Sequence, residues 1–256
     1  MTRQRIYNTD AVVLRARLLG EADRLLTLFT PGLGKLQATV RGARKPTSKL
    51  GGHLDPLTCS SVTLAKGRGL DTITGADTKE PFINVKNDLS RLSAAIYLAE
   101  LIDAFNPLES PNHAAYALFL EGLRALGTSV DIDLSLRYLE IQLLGSVGFL
   151  PELQQCVDCR GEITPKAHFF GPAGGGVLCP GCRQSHSDAM PLSLGALKVL
   201  RFFSATTMHE AILVKVKSQL RGELSVLLGT LLRYTLEREL RSTTFVRSVS
   251  RLRPSA

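Results

Sequence analysis

Two short cysteine pairs constrain this chain more than any other feature. Cys156 and Cys159 form one C-x-x-C and Cys179 and Cys182 another, with 19 residues between them, from Arg160 to Leu178. That spacing matches a tetrahedral zinc site, in which each pair folds as a tight knuckle and aims two thiolates at one ion. Gly181 is expected to let the second knuckle turn sharply, and Gly174, Gly175 and Gly176 to give a flexible return before it. Four thiolates leave the metal no open position, so such an ion supports structure and does not activate water. The competing readings are a pair of disulfides or a redox C-x-x-C. His168 and His186 lie close by and could replace a thiolate, but four sulfurs already complete the set. Cys59 stands apart in a strand-like run and reads as a small buried hydrophobe.

A chain of 256 residues, 44% hydrophobic and 21% charged, should fold as two or three units with cores of their own. No apolar run approaches the ~20 residues of a membrane span. The start is basic but runs into Tyr7, Asn8, Thr9 and Asp10, so no signal-peptide core is expected. The expected location is the cytoplasm, in association with the nucleoid, where thiols stay reduced and zinc is favoured over disulfides. The net charge of +8 is unevenly spread. Residues 1–80 hold 13 Lys/Arg against 7 Asp/Glu, residues 81–220 hold 11 against 13, and residues 221–256 hold 7 against 3. Positive charge at both ends points to a polyanionic partner such as nucleic acid. Solubility alone is the competing explanation.

The first 80 residues read as β structure. Strands are expected at Val12–Leu14, Leu25–Phe29, Lys35–Val40, Ser61–Leu64 and Leu70–Thr74, divided by Gly-rich and polar turns. Five short strands in one run suggest a small closed barrel. From Asn87 the pattern turns helical. Leu89, Leu92, Ile96, Ala99, Ile102 and Phe105 recur at helical spacing and are expected to face a core. Further helices are expected over about Asn112–Leu126, from near Asp131 to Gly145, after Pro191 with Ser193 as N-cap, and as one long helix over Ser218–Arg241. The basic tail from Ser242 to Ala256 is expected to fray. The whole reads as a multidomain α+β chain. It has a barrel over residues 1–80 and a helical domain in two parts, 81–150 and 188–256, with a four-cysteine module inserted at 151–187.

Outside the cysteines, the most suggestive segment runs from Val40 to Lys49. Arg41, Arg44, Lys45 and Lys49 give it four positive charges and no acid. A flexible basic loop on a small barrel can follow a phosphate backbone with little sequence preference; the alternative is a solvated turn. Lys35, Arg15 and Arg17, with Arg3, Arg5 and Arg24, could widen that surface. Aromatic residues for base stacking are scarce there, with only Tyr7 and Phe29. Gly32, Gly34 and Lys35 do not make a Walker A loop, so ATP use is not expected. His53, His113 and His209 form no zinc-protease motif, there is no nucleophile elbow, and an enzyme is not expected.

The order of parts resembles the bacterial RecO family of DNA repair proteins. The resemblance covers nearly the whole chain. It is carried by Asn8 to Leu14, the turn from Gly20 to Arg24, Gly34 and Lys35 leading to Arg41–Lys45, Ser48 to Leu50, and Val147–Pro151 running into Cys156 and Cys159. It implies an N-terminal OB-fold, a central helical domain and a four-cysteine zinc site. It also implies a recombination mediator that binds single- and double-stranded DNA and anneals complementary strands. With RecR, such a protein helps load RecA onto strands coated by single-strand-binding protein. The alternatives are a zinc-ribbon factor that binds RNA or serves transcription, and a nuclease or hydrolase whose residues meet only in the fold.

Overall fold

A computed structural model of the chain describes residues 6–45 and 48–252. They divide into two compact units, residues 1–127 and 128–256. The first unit is built on five strands: β1 Ile6–Leu19, β2 Asp23–Thr30, β3 Gly34–Val40, β4 Cys59–Ala65 and β5 Asp71–Glu80. They close into a barrel in the order β1-β2-β3-β5-β4. β1 is longer than the sequence suggests because it serves two neighbours. Ile6 to Val12 pair with β4, and Val12 to Leu19 pair with β2 across a register shift between Val13 and Arg15. Such a bulge bends a strand and lets it turn a barrel corner. The closing contact is short, with only Ala38 and Thr39 of β3 pairing parallel to Asp71 and Thr72 of β5.

The alternation expected of β3 holds: Leu36, Ala38 and Val40 point into the barrel core with Val13, Leu26, Leu28, Leu64 and Ile73. Leu54, from a 3-10 turn at Gly52–Leu54, plugs the same core. The opposite faces of β1 and β2 are also buried. Val12 and Phe29 are fully enclosed, and Leu14 and Thr27 nearly so. Their cover comes from the helices that follow the barrel, α1 Ile83–Lys86, α2 Leu89–Phe105 and α3 His113–Thr128. Tyr116 of α3 packs on Phe29 with ring centroids 5.9 Å apart and brings its hydroxyl 3.9 Å from the Cys59 sulfur.

The face of α2 matches the expected one only in part. Ala99 and Ile102 are buried as expected, but Leu89 and Ile96 are exposed, and Ala94, Ala95, Tyr97, Leu98 and Leu101 are buried instead. Small alanines allow close backbone approach, so the packed face is broader than the stripe of large residues and is rotated from it. Asp88 caps the helix by accepting the Arg91 N–H.

The second unit begins with α4 Ile132–Ser146 and includes α5 Leu194–Ala205, α6 Met208–Ala211, α7 Ser218–Leu236 and α8 Ser242–Leu252. Ser193 caps α5 as expected, and both its N–H and its hydroxyl donate to the Glu223 carboxylate at 2.7 Å. The expected long helix ends early, because Glu237 turns left-handed at φ 52°. The described part of the tail is helical, as α8. Arg253, Pro254 and the last two residues lie outside the described residues.

Candidate metal centre and candidate nucleic-acid interface

The cysteine module hangs on a three-stranded sheet of β6 His168–Gly171, β7 Gly176–Leu178 and β8 Met190–Leu192, in the order β7-β6-β8. The first knuckle is closed by backbone hydrogen bonds. Arg160 N–H donates to Cys156 O and Cys156 N–H to Gly161 O, with Arg160 left-handed at φ 59°. In the second, Cys182 N–H donates to Cys179 O, and the 3-10 turn Arg183–Ser185 follows. Gly176 is not a flexible return. It starts β7 against Glu152, and a Cβ there would lie 2.5 Å from the Glu152 carbonyl oxygen. Arg201 of α5 ties the module to the helices by donating from Nε and Nη2 to Leu153 O and from Nη2 to Ile163 O.

This framework brings the four sulfurs within 4.8 Å of one another. Cys159 Sγ and Cys179 Sγ are 3.8 Å apart. A tetrahedral ion with metal–sulfur bonds of about 2.3 Å requires sulfur–sulfur edges of about 3.8 Å, so the donor set fits one metal ion. All five cysteines are free thiols. Burial of Cys156 opposes its thiolate, but the backbone N–H groups of Cys179, Cys159 and Asp158 outweigh it and bring the pKa down to about 6. Cys182 is pushed up to about 12, first because its thiol bonds to Cys179. The two nearby histidines are held elsewhere: His186 Nε2 contacts Asp158 at 2.9 Å, and His168 Nε2 contacts Thr164 O at 2.8 Å. Cys59 is buried in β4, and burial raises its thiol pKa.

The basic loop follows β3, and residues 41–45 are clamped. Ala43 is inserted in the barrel core. Gly42 N–H donates to the Asp23 carboxylate at 2.8 Å, Arg44 N–H to Ala22 O at 3.1 Å, and Arg44 Nη1 to Glu21 O at 2.8 Å. These bonds fasten the loop to the β1–β2 turn and leave Arg41, Arg44, Lys45 and Lys49 exposed. Pro46 and Thr47, like Arg3 and Arg5, lie outside the described residues. Arg17 is exposed on the same hairpin, and Arg24 pairs with Asp55 at 3.2 Å.

Lys35 and Arg15 lie elsewhere. Lys35 Nζ is 2.9 Å and Arg15 Nη2 is 3.3 Å from the carboxylate of Asp103 on α2, and the Lys35 side chain is only 12% exposed. Both cations sit where α2 covers the barrel. The surface that OB-folds use to bind oligonucleotides, centred on the second and third strands, is therefore partly occupied here by the protein's own helices. At the far end of β3 a cleft of about 940 Å³ is lined in part by Tyr7, Leu36, Gln37, Lys66, Arg68 and Asp71. Tyr7 donates to Asp71 at 2.6 Å and carries Lys66 over its ring. Lys66 and Arg68 reach the cleft from the turn between β4 and β5.

Models of the two halves of a known family match consecutive parts of the chain, "Recombination protein O N terminal" over residues 1–82 and "Recombination protein O C terminal" over residues 86–244. The chain belongs to the RecO family. A protein named DNA repair protein RecO from Dehalococcoides mccartyi is 38% identical over 93% of this chain and 94% of its own length. One of the same name from Roseiflexus is 38% identical over 98% and 88%, and one from Desulforamulus reducens is 35% identical over 94% of each. Membership accounts for the OB-like barrel followed by helices. Among the described residues no helix is long and apolar enough to cross a membrane.

Proposed function

We propose that this chain is a DNA-binding recombination mediator in DNA repair. It anneals complementary strands and, with RecR, helps load RecA onto strands coated by single-strand-binding protein. Family membership supports the role in repair and recombination. The observation that carries DNA binding is the clamped loop, which presents Arg41, Arg44, Lys45 and Lys49 from a fixed base. Phosphate contacts from such a loop are independent of sequence, and each releases counterions. Arg17 and the half-exposed Arg15 extend the surface, while Lys35 enters the proposal as a strut that holds α2 to the barrel. Two polyanions held on one basic surface repel less and meet more often, so annealing needs no nucleotide hydrolysis and no catalytic group.

The metal is proposed to be one zinc ion held by Cys156, Cys159, Cys179 and Cys182. When bound, zinc supplies a cross-link between the knuckles and no chemistry. The working division is a barrel over 1–80, helical parts over 81–150 and 188–256, and a metal module over 151–187. Residues 81–220 hold two more acidic than basic residues, so single-strand-binding protein can dock there without competing with DNA. The proposed setting is cytoplasmic and nucleoid-associated.

The test is annealing of complementary strands coated by single-strand-binding protein, with and without ATP, using intact coating protein and a form lacking its acidic tail. Equal annealing without ATP, and loss when the tail is removed, are expected. Strict ATP dependence contradicts the mechanism, and indifference to the tail removes the recruitment step. An RNA strand that competes better than DNA would replace the reading with that of an RNA-binding factor.

A further inference from the structure

The turn that anchors the basic loop is flanked by two exposed leucines. Leu18 is 68% and Leu19 41% exposed. They belong to the rigid part of the hairpin, because the β1–β2 ladder continues through Leu18 with Arg24 and Leu19 with Asp23. Only Gly20, Glu21 and Ala22 lie beyond, and the carbonyls of Glu21 and Ala22 are held by Arg44. The strand alternation sends the two leucines to opposite faces. Leu18 shares its face with the paired Arg24, and Leu19 shares its face with Arg17. Arg17, Arg24, Arg41, Arg44, Lys45 and Lys49 meet Glu21, Asp23 and Asp55 in this region. Asp23 is engaged by the Gly42 N–H and Asp55 by Arg24.

A pre-organised apolar tip tied by hydrogen bonds to a basic loop fits one chemistry better than others. Two leucines offer far less than the roughly 1,000 Å² that a specific protein interface needs. The positive charge of the loop favours a polyanion, and single-stranded nucleic acid is the polyanion that also offers flat apolar faces. Leucine is among the side chains that proteins insert between bases as a wedge. From this we propose that Leu18 and Leu19 form a base-contacting tip, one leucine on each side of the hairpin. The tip packs against unpaired bases while the adjoining basic loop holds their phosphates. This rests on the nucleic-acid reading above and adds base contact, which the scarcity of aromatic residues had seemed to remove. It also gives single strands an advantage over duplex, whose bases are stacked away.

The experiment compares binding of an oligothymidylate and an abasic oligomer of equal length to the full chain and to its L18S/L19S variant, across a salt series. The parent is expected to bind the base-bearing strand about tenfold tighter than the abasic one, the value of about one base contact. The variant should bind both strands alike, at the parent's abasic affinity and with the parent's salt slope. A second variant, L18F/L19F, should keep or enlarge the preference, since an aromatic ring stacks better. A parent without preference, or an L18S/L19S protein that retains it, overturns the tip and leaves phosphate binding standing. A parent that binds neither strand at low salt overturns the nucleic-acid reading itself.

Discussion

Lys35 and Arg41 sit six residues apart with the same charge and opposite surroundings. The Lys35 ammonium is enclosed against Asp103, whereas Arg41 is exposed beside the barrel. Lys35→Met should therefore destabilise the first unit by about 1–3 kcal/mol, the worth of a hydrogen bond to a charged group, and leave the salt slope of DNA binding unchanged. Urea unfolding and a salt titration check the two parts. A lower slope with unchanged stability would place Lys35 on DNA after all. A second residue-scale expectation concerns the second unit. Arg137 Nη1 lies 2.9 Å from Glu140 Oε2, both nearly or fully buried. Glu140→Gln leaves the guanidinium without its main counter-charge and should cost about 3–5 kcal/mol in denaturant unfolding. A cost under 1 kcal/mol would mean that water or Asp133 replaces the lost carboxylate.

At the scale of elements, the cysteine module should behave as a metal-closed unit. Protein made in zinc-replete, reducing conditions should carry about one zinc per chain, and Cys159→Ser should lose the metal and destabilise the module, because binding energy is folding energy there. Thiol titration gives a finer check. The loaded native protein should expose almost no reactive thiol, and the chelated protein should expose those of the four ligands. Cys59 should react only on unfolding, since burial raises its pKa and shields it. A native Cys59 that reacts readily would show that the barrel and its covering helices part easily.

The module was legible from local spacing because each knuckle is a four-residue affair. β3 was legible because polar and apolar residues alternate strictly from Lys35 to Val40. α2 was misjudged because its buried face uses alanines, and hydrophobic size is a poor guide where close approach does the packing. The end of α7 carried no glycine or proline, so a left-handed Glu237 left no trace in the sequence. The covered strand face was out of reach for another reason. It depends on Phe29 meeting Tyr116, residues far apart in the chain whose pairing no local pattern records.

On the scale of the whole molecule, the account rests on where positive charge is free to meet phosphate. The barrel's second and third strands are partly roofed by helices, and the proposed DNA site is therefore the end of the barrel, where the β1–β2 turn and the loop after β3 are tied together. The most direct measurement is the salt dependence of single-strand binding by the full chain and by the variant with Arg41, Arg44, Lys45 and Lys49 changed to Ala. Each phosphate contact to a single strand contributes about 0.7 to the slope of log affinity against log salt. The account predicts that the slope falls by about 3 in the variant, with weaker binding to every sequence alike and a thermal stability lowered only by loss of the Arg44 bond to Glu21. An unchanged slope and affinity in a folded variant would contradict it, and would make the loop no more than a solvated turn.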